Sequence, residues 1–290
     1  MTDKKISKGK RGVGSWILYI LVIAAACITF SALLFLILYI LIHGIPHLKP
    51  GLFAWKYNSE NVSLMPALIN TLLITIITLV VAVPVGIGSA VYMVEYAKRG
   101  NKFVRIIGIT TETLSGIPSI VYGLFGMLFF VTALKFRLSL LAGALTLAIM
   151  ILPLIMRTTE EALKSVPDSY REGSLGLGAG RVRTIFRIVL PAAVPGILSG
   201  VILASGRIVG ETAALMYTAG TVTEVVSGHG KWSGVNWMMD SGRTLAYHMY
   251  ALSSEGFHTE EAYATAVVLL VIVMVINWIS NRIAKRLAKV

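Results

Sequence analysis

The chain has 290 residues, of which 56% are hydrophobic and only 14% carry a charge. A mean hydropathy of +0.78 excludes an ordinary soluble domain and indicates a polytopic membrane protein. The net charge of +12 does not indicate nucleic-acid binding, because the lysines and arginines cluster at the ends of apolar runs, where they meet anionic headgroups. The single cysteine, Cys27, lies inside the first apolar run, so we expect no intrachain disulfide.

The N-terminus is a basic segment, residues 1–14, that leads directly into an apolar run at 15–43. This order is typical of the start of a signal peptide. The apolar run is, however, longer than the roughly 7 to 15 residues of a signal-peptide core. We therefore predict an uncleaved first transmembrane helix at 15–43.

Six apolar runs are long enough to cross a bilayer core of about 30 Å as helices. The predicted spans are residues 15–43, 66–94, 104–133, 138–157, 192–217 and 262–281. The third is the least apolar, because it contains Glu112, several threonines and Pro118. The predicted fold class is an all-α polytopic membrane protein with six transmembrane helices, whose residues 66–281 form the transport domain.

The distribution of lysine and arginine predicts the orientation of these spans. Nineteen of the 26 basic residues lie in the N-terminus, the 98–105 loop, the 157–187 loop and the tail at 282–290, and six lie in the alternate loops. By the positive-inside rule, both termini and the loop at 158–191 are cytoplasmic, and the segment at 218–261 is extracytoplasmic. Within the latter, residues 244–256 alternate as a short amphipathic helix would.

The stretch from Glu172 to Pro191 is glycine-rich and basic, so it cannot lie in lipid and is predicted to be a water-facing loop. Its small residues leave a surface that another protein can approach closely. Two interpretations stay open: a docking loop for a partner protein, or a flexible linker whose basic side chains bind lipid headgroups. No Gly-x4-Gly-Lys-Ser/Thr motif occurs in the chain, so we expect no ATP site on it.

Two charged residues lie deep in the fifth predicted span. Arg207 and Glu211 are four residues apart, which predicts one helix face and a separation of about 6 Å along the axis. An arginine at this depth costs on the order of 2.5 to 3.5 kcal/mol on insertion scales, so it should face a partner or a cavity. The pair is either a structural ion pair, or a site where Arg207 attracts a passing anion and Glu211 limits its grip.

A second polar cluster surrounds Glu112 in the third predicted span. Thr113, Ser115 and Ser119 flank Pro118, which removes a backbone donor and interrupts the helix. Irregular backbone inside a membrane is tolerated where it lines a cavity or is buried in protein. The alternative is that these hydroxyls bond only within their own helix.

The sequence contains no motif typical of catalysis or metal binding. Its five histidines include no His-Glu-x-x-His, and no Gly-x-Ser-x-Gly occurs. We therefore expect neither an enzyme nor a metal or cofactor site on this chain.

The loop at 172–191 resembles the EAA loop of ABC importer permeases. Glu172 is followed by two small residues, Gly173 and Ser174, which stand where the motif has alanines. Gly178 comes six positions after Glu172, and the Ile-x-Leu-Pro that ends at Pro191 follows with the spacing of the motif. SGIPSIVYGLFG at 115–126 and ILASGRIVGETAAL at 202–215 resemble the PstA branch, the A-type membrane subunits of phosphate ABC importers.

This resemblance implies a type I importer permease fold in a prokaryotic cell membrane and a subunit that passes inorganic phosphate. The implied partners are a PstC-like second permease subunit, two PstB-like ATPases that bind the ATP, and an extracytoplasmic PstS-like phosphate-binding protein. The implied substrate path contains Arg207, Glu211, Glu112, Thr113, Ser115 and Ser119. The residues implied to couple to the ATPase are Glu172, Gly173, Ser174, Gly178, Ala179, Leu190 and Pro191.

Three alternatives to a PstA-like phosphate permease stay open. The sister subunit PstC has similar motifs, so this chain could be the PstC-type subunit. A permease for sulfate or molybdate is compatible with the same chemistry, because Arg207 would serve any oxyanion. A membrane anchor or sensor would bind a partner through the 158–191 loop and move no solute.

Overall fold

The computed structural model describes residues 13–98, 100–223 and 235–287. These residues are almost entirely helical and contain no strand. Five helical spans are long and apolar enough to cross a membrane, and one sharply bent pair of helices makes a sixth candidate. The prediction of an all-α chain with six spans is confirmed. Most of the basic N-terminus and the end of the tail lie outside the described residues.

The described residues form eleven α-helices, named here in chain order. They are α1 (Val13–Gly44), α2 (Met65–Val91), α3 (Lys102–Ser115), α4 (Ser119–Gly126), α5 (Leu140–Lys164), α6 (Asp168–Gly176), α7 (Arg181–Thr184), α8 (Leu190–Gly210), α9 (Ala213–Thr218), α10 (Leu245–Glu255) and α11 (Thr259–Leu287). Three π-helical segments continue α2, α4 and α7: Tyr92–Tyr96, Met127–Ala133 and Ile185–Val189.

Local sequence explains where several of these helices begin. Asn101 caps α3, because its side chain accepts a hydrogen bond from the amide of Phe103, and Ser139 caps α5 in the same way. Pro118 lies between α3 and α4, whose axes are bent by 105°. The third predicted span is therefore present, and Pro118 interrupts it as predicted, so that it consists of two helices.

The centre of the bundle is α5, which packs against α2 on one side and α8 on the other. Leu147, Ile151 and Ile155 of α5 are fully buried in the main apolar core. The short α4 approaches α5 closely at Gly126, where an added Cβ would lie 2.2 Å from Oγ1 of Thr146. This contact fixes the broken third span against the central helix.

Two peripheral helices differ in their packing. The apolar stretch of α1 is exposed along its length, and α1 contacts α11 near Gly44. By contrast, α10 confirms the predicted short helix at 244–256 and packs between α2 and α11, where His248 is buried. The surface of α1 is thus left to lipid or to another chain, and α10 belongs to the bundle.

Candidate functional site

A cavity of about 620 Å³ lies between α3, α5 and α8. It brings Glu112 of α3 together with Arg207 of α8, two residues that the sequence placed at membrane depth in different spans. Its polar and charged lining residues are Thr111, Glu112, Ser115, Arg157, Thr158, Glu160, Glu161, Lys164 and Arg207.

The charges in this cavity fall into two groups. Those of α5 pair with one another one helical turn apart: Arg157 with Glu161 at 3.1 Å, and Lys164 with Glu160. Among the described residues, Arg207 and Glu112 form no ion pair. A guanidinium without a carboxylate partner can donate hydrogen bonds to an oxyanion that enters the cavity.

The predicted pairing of Arg207 with Glu211 on one helix face is wrong. Helix α8 ends at Gly210, and Glu211 has an extended backbone with φ −74° and ψ 127°. Its buried carboxylate instead accepts a hydrogen bond from the amide of Ala214 at 3.1 Å, in the first turn of α9. The predicted continuous helix at 192–217 therefore breaks where this carboxylate satisfies backbone donors that the break leaves free.

The smaller polar residues of the predicted path have different positions. Ser115 lines the cavity, and its hydroxyl donates to the carbonyl of Glu112 at 2.7 Å. Thr113 donates to the carbonyl of Ile109 and is not part of the lining, as the alternative of intrahelical bonding expected. Ser119 begins α4 and is also outside the lining.

The sequence analysis left Thr111 out of the predicted path, although this threonine of the polar cluster lines the cavity beside Glu112. The signal was helical spacing: Gly108, Thr111, Glu112 and Ser115 are at positions i, i+3, i+4 and i+7 of α3, so they share one face. It also missed Asn277 of α11, which lines a second cavity of about 710 Å³ together with Arg207. Arg207 therefore borders two cavities, one on each side of α8.

The cytoplasmic loop predicted at 158–191 contains a nine-residue helix, α6, instead of a flexible linker. The helix ends in a Schellman motif: the amide of Gly178 donates to the carbonyl of Leu175, and that of Ala179 to Ser174. Gly178 has a φ of +84°, which explains a glycine at this position. The glycine of the motif, Gly178, thus terminates α6 in a defined conformation.

The two small residues after Glu172 have opposite environments. Ser174 is buried, and its hydroxyl is 2.9 Å from that of Thr184, so α6 lies against the helix that follows it. Gly173 is exposed, and a Cβ there would have no neighbour within 4 Å. Glu172 is also exposed, and the nearby Leu177 is 91% exposed. The outer face of α6 and the turn that follows it therefore expose both polar and apolar groups.

The remaining motif residues connect this segment to the membrane bundle. Leu190 begins α8 and packs, partly buried, against a second apolar core that includes Leu163 and Val189. Pro191 follows in the first turn of α8, inside a continuous helical span that runs from Arg181 to Gly210 and includes the π-helical segment.

Arg171 attaches α6 to the membrane bundle, although the sequence analysis did not single it out. Its guanidinium contacts the carboxylate of Glu95, at 2.8 Å from Nη2 to Oε1 and 3.1 Å from Nε to Oε1. Hydrogen bonding to this carboxylate raises the pKa of Arg171 above its usual value, so the guanidinium stays charged at any physiological pH. Glu95 also escaped notice, because a single acidic residue at the end of an apolar run carries no pattern.

The chain is similar to a known protein family and to named permeases. The family described as "Binding-protein-dependent transport system inner membrane component" matches residues 82–289. A probable ABC transporter permease protein of Bacillus subtilis (strain 168), YqgI, is 36% identical over 239 residues, which cover 80% of each chain.

Two relatives are named as phosphate transport system permease proteins PstA. That of Mycobacterium leprae (strain TN) is 42% identical over 53% of this chain and 50% of its own length. That of Pasteurella multocida (strain Pm70) is 40% identical over 61% of this chain and 63% of its own. The matched region thus spans about half to two thirds of these relatives.

Solved structures share the fold at low sequence identity. The bacterial alginate ABC transporter in complex with an alginate pentasaccharide-bound periplasmic protein superposes with a TM-score of 0.67 and 15% identity, covering 94% of this chain and 96% of that one. An inward-facing MetNI methionine ABC transporter gives a TM-score of 0.56 and 19% identity, covering 77% and 94%.

Proposed function

We propose that this chain, which belongs to the family of binding-protein-dependent transport system inner membrane components and is a membrane permease subunit of an ABC importer, passes inorganic phosphate. The observation that carries the proposal is Arg207, a cation at membrane depth that no carboxylate of the described residues neutralises and that borders a large cavity. The relatives named as phosphate permeases support phosphate over other anions.

The cavity lining suits a protonated oxyanion. Arg207 offers guanidinium donors in a fork that matches two phosphate oxygens. The hydroxyl of Thr111 adds a further donor, and the Glu112 carboxylate is an acceptor for the proton of HPO₄²⁻. The negative charge of Glu112 also weakens the attraction of the cavity for the anion. A transport path needs this weaker attraction if the anion is to leave as readily as it enters. Glu112 takes the role that the sequence analysis gave to Glu211.

The chain would act in a larger assembly. We propose as partners a second permease subunit, two ATPases that bind the ATP, and an extracytoplasmic phosphate-binding protein, in a bacterial cytoplasmic membrane with both termini of this chain in the cytoplasm. ATP binding would draw the ATPases together and displace α6, and the helices around the cavity would then open toward the binding protein. This chain would transmit force and line the path without catalysing a reaction.

Competition for labelled phosphate uptake tests the substrate. Cells that depend on this complex take up labelled phosphate in the presence of equal excesses of unlabelled phosphate, sulfate or molybdate. We expect only phosphate to compete. Stronger competition by sulfate or molybdate would assign another oxyanion, and the absence of any anion uptake by an assembled complex would favour the anchor or sensor alternative.

A further inference from the structure

We infer that Glu95 and Arg171 form the joint through which the movement of α6 reaches α2 and the wall of the cavity. This inference rests on the proposed coupling of α6 to an ATPase. It assigns the transmission of that movement to one buried ion pair, which neither the sequence motif nor the relatives point to.

Arg171 connects three elements that meet at the cytoplasmic end of the bundle. Its guanidinium pairs with Glu95 in the π-helical segment that continues α2. The same group donates to the carbonyl of Leu163 at 2.9 Å, in the last turn of α5, and to that of Val166 at 2.8 Å, just after α5 ends. The end of α2 is therefore linked to α6 by a contact between residues far apart in sequence.

The burial of this pair makes it a rigid link. The side chain of Glu95 is 8% exposed and that of Arg171 is 18% exposed. Removing Arg171 would leave Glu95 buried without its ion-pair partner, and removing Glu95 would leave Arg171 with only the exposed Asp168, so separating the two elements is costly. Arg181 of α7 adds a second link, because it donates to the backbone carbonyl of Glu95 and stacks on the ring of Tyr96 at 5.5 Å.

The segment that carries Glu95 also reaches the cavity. Met93, two positions earlier in the same π-helical segment, is one of the cavity-lining residues. A π-helical segment has weaker backbone bonding than an α-helix and often occurs at functional sites. A displacement of α6 that pulls on Glu95 would thus move Met93 and change the wall of the cavity near the charged residues of α5.

Asp168 provides a matched control for the experiment. It contacts the same guanidinium at 3.2 Å, but its side chain is 78% exposed. Glu95→Gln and Asp168→Asn therefore make the same chemical change on two partners of one arginine. Water screens the Arg171–Asp168 pair and not the Arg171–Glu95 pair, and exposed ion pairs contribute little to stability.

The test uses the complete complex in liposomes loaded with ATP, and measures phosphate transported per ATP hydrolysed for each assembled complex. We expect Glu95→Gln to retain ATP hydrolysis while this ratio falls about tenfold, because Arg171 loses its buried counter-charge and the link to the end of α2 weakens. Asp168→Asn should change the ratio by less than about twofold. A purely structural role for Glu95 would lower the number of complexes without changing the ratio.

A ratio that Glu95→Gln leaves unchanged would overturn the inference. If that variant does not assemble, Glu95→Asp and Arg171→Lys, which keep both charges but change the reach or the fork of the contact, replace it. A reduced ratio in these variants supports the joint, and a wild-type ratio in both overturns it. A wild-type complex that hydrolyses ATP but transports no phosphate would instead contradict the proposed function.

Discussion

The Glu95–Arg171 joint and the cavity between α3, α5 and α8 use arginine in opposite ways. In the joint, Arg171 is surrounded by acceptors: the Glu95 carboxylate, two helix-end carbonyls and Asp168. In the cavity, Arg207 forms no ion pair with any described carboxylate, although the four-residue helical spacing predicted one with Glu211. A satisfied arginine holds elements together, whereas an unsatisfied one is available to a ligand.

The largest effect expected outside the cavity concerns the geometry of α6, the helix that carries Arg171. Gly178→Asp places a side chain at a φ of +84°, which only glycine adopts without strain, and adds a charge to the proposed ATPase contact. We expect phosphate uptake to fall by more than about tenfold as the helix end is lost. Uptake assays on membranes with equal amounts of permease measure this loss.

Gly180→Ala is the control for that substitution. Gly180 has a φ of −70° and open space around its Cβ position, so alanine should preserve uptake. Equal uptake by Gly178→Asp and wild type would show that the conformation of this helix end does not matter for coupling.

His248 is a buried titratable group without a counter-charge, and it extends the comparison between paired and unpaired groups. Burial, together with the nearby Arg243 cation, lowers the pKa of His248 to about 4. Because the unfolded state binds this proton more readily, stability is complete above about pH 6.5 and declines as the pH falls toward 4. Between pH 7 and pH 5 the loss should be about 2 kcal/mol.

Thermal unfolding of the purified chain at both pH values, beside His248→Gln, isolates this contribution. The variant lacks the titrating ring and should lose less stability on acidification. The same pH dependence in both proteins would mean that folding does not lower the pKa of His248, contrary to its burial against Tyr57.

The two carboxylates near Arg207 should differ in their effects on transport. Glu112→Gln removes the charge that moderates the grip of the cavity, so we expect turnover to fall by about threefold to tenfold while half-saturation does not rise. Glu211→Gln keeps an oxygen that can accept from Ala214, so its turnover should change by less than about twofold. A larger loss in Glu211→Gln would return the moderating role to Glu211.

The smallest expected effect is a gain. Gly173→Ala introduces the residue of the family motif at an exposed helical position where the Cβ meets nothing. It should stabilise α6 by about 0.5 to 1 kcal/mol and leave uptake unchanged. Hydrogen exchange of the α6 amides measures the gain, and a faster exchange in the variant would contradict the open environment of Gly173.

Sequence patterns predicted the spans and the motif loop because hydropathy and fixed spacing are local properties. They placed the first, second and sixth spans within a few residues of their helices, and Pro118 marked the break in the third. The fourth span was predicted to end at 157, but its helix continues to Lys164. The end of α8 at Gly210 escaped them, because an apolar run continues through Ala213 to Thr218 and hides the change in backbone direction. Periodicity alone cannot show where a buried carboxylate caps a second helix.

The charged pairs were harder to predict, because they depend on contacts between distant parts of the chain. Glu95 and Arg171 lie in different loops of the sequence and meet only through the packing of α2 beside α5. The cavity likewise joins Glu112 to Arg207 across three helices. Polarity at membrane depth identified Glu112 and Arg207 individually, whereas only the folded structure shows that they line the same cavity.

The most direct test of the account is phosphate uptake by Arg207→Gln, with Arg157→Gln as its control. Both arginines line the same cavity, but Arg157 is already paired with Glu161 on α5. With equal membrane abundance and intact assembly, we expect uptake to fall by more than about a hundredfold in Arg207→Gln and by less than about threefold in Arg157→Gln. Normal uptake by Arg207→Gln would contradict the account, because the unpaired cation at membrane depth would then serve packing and not the path of the anion.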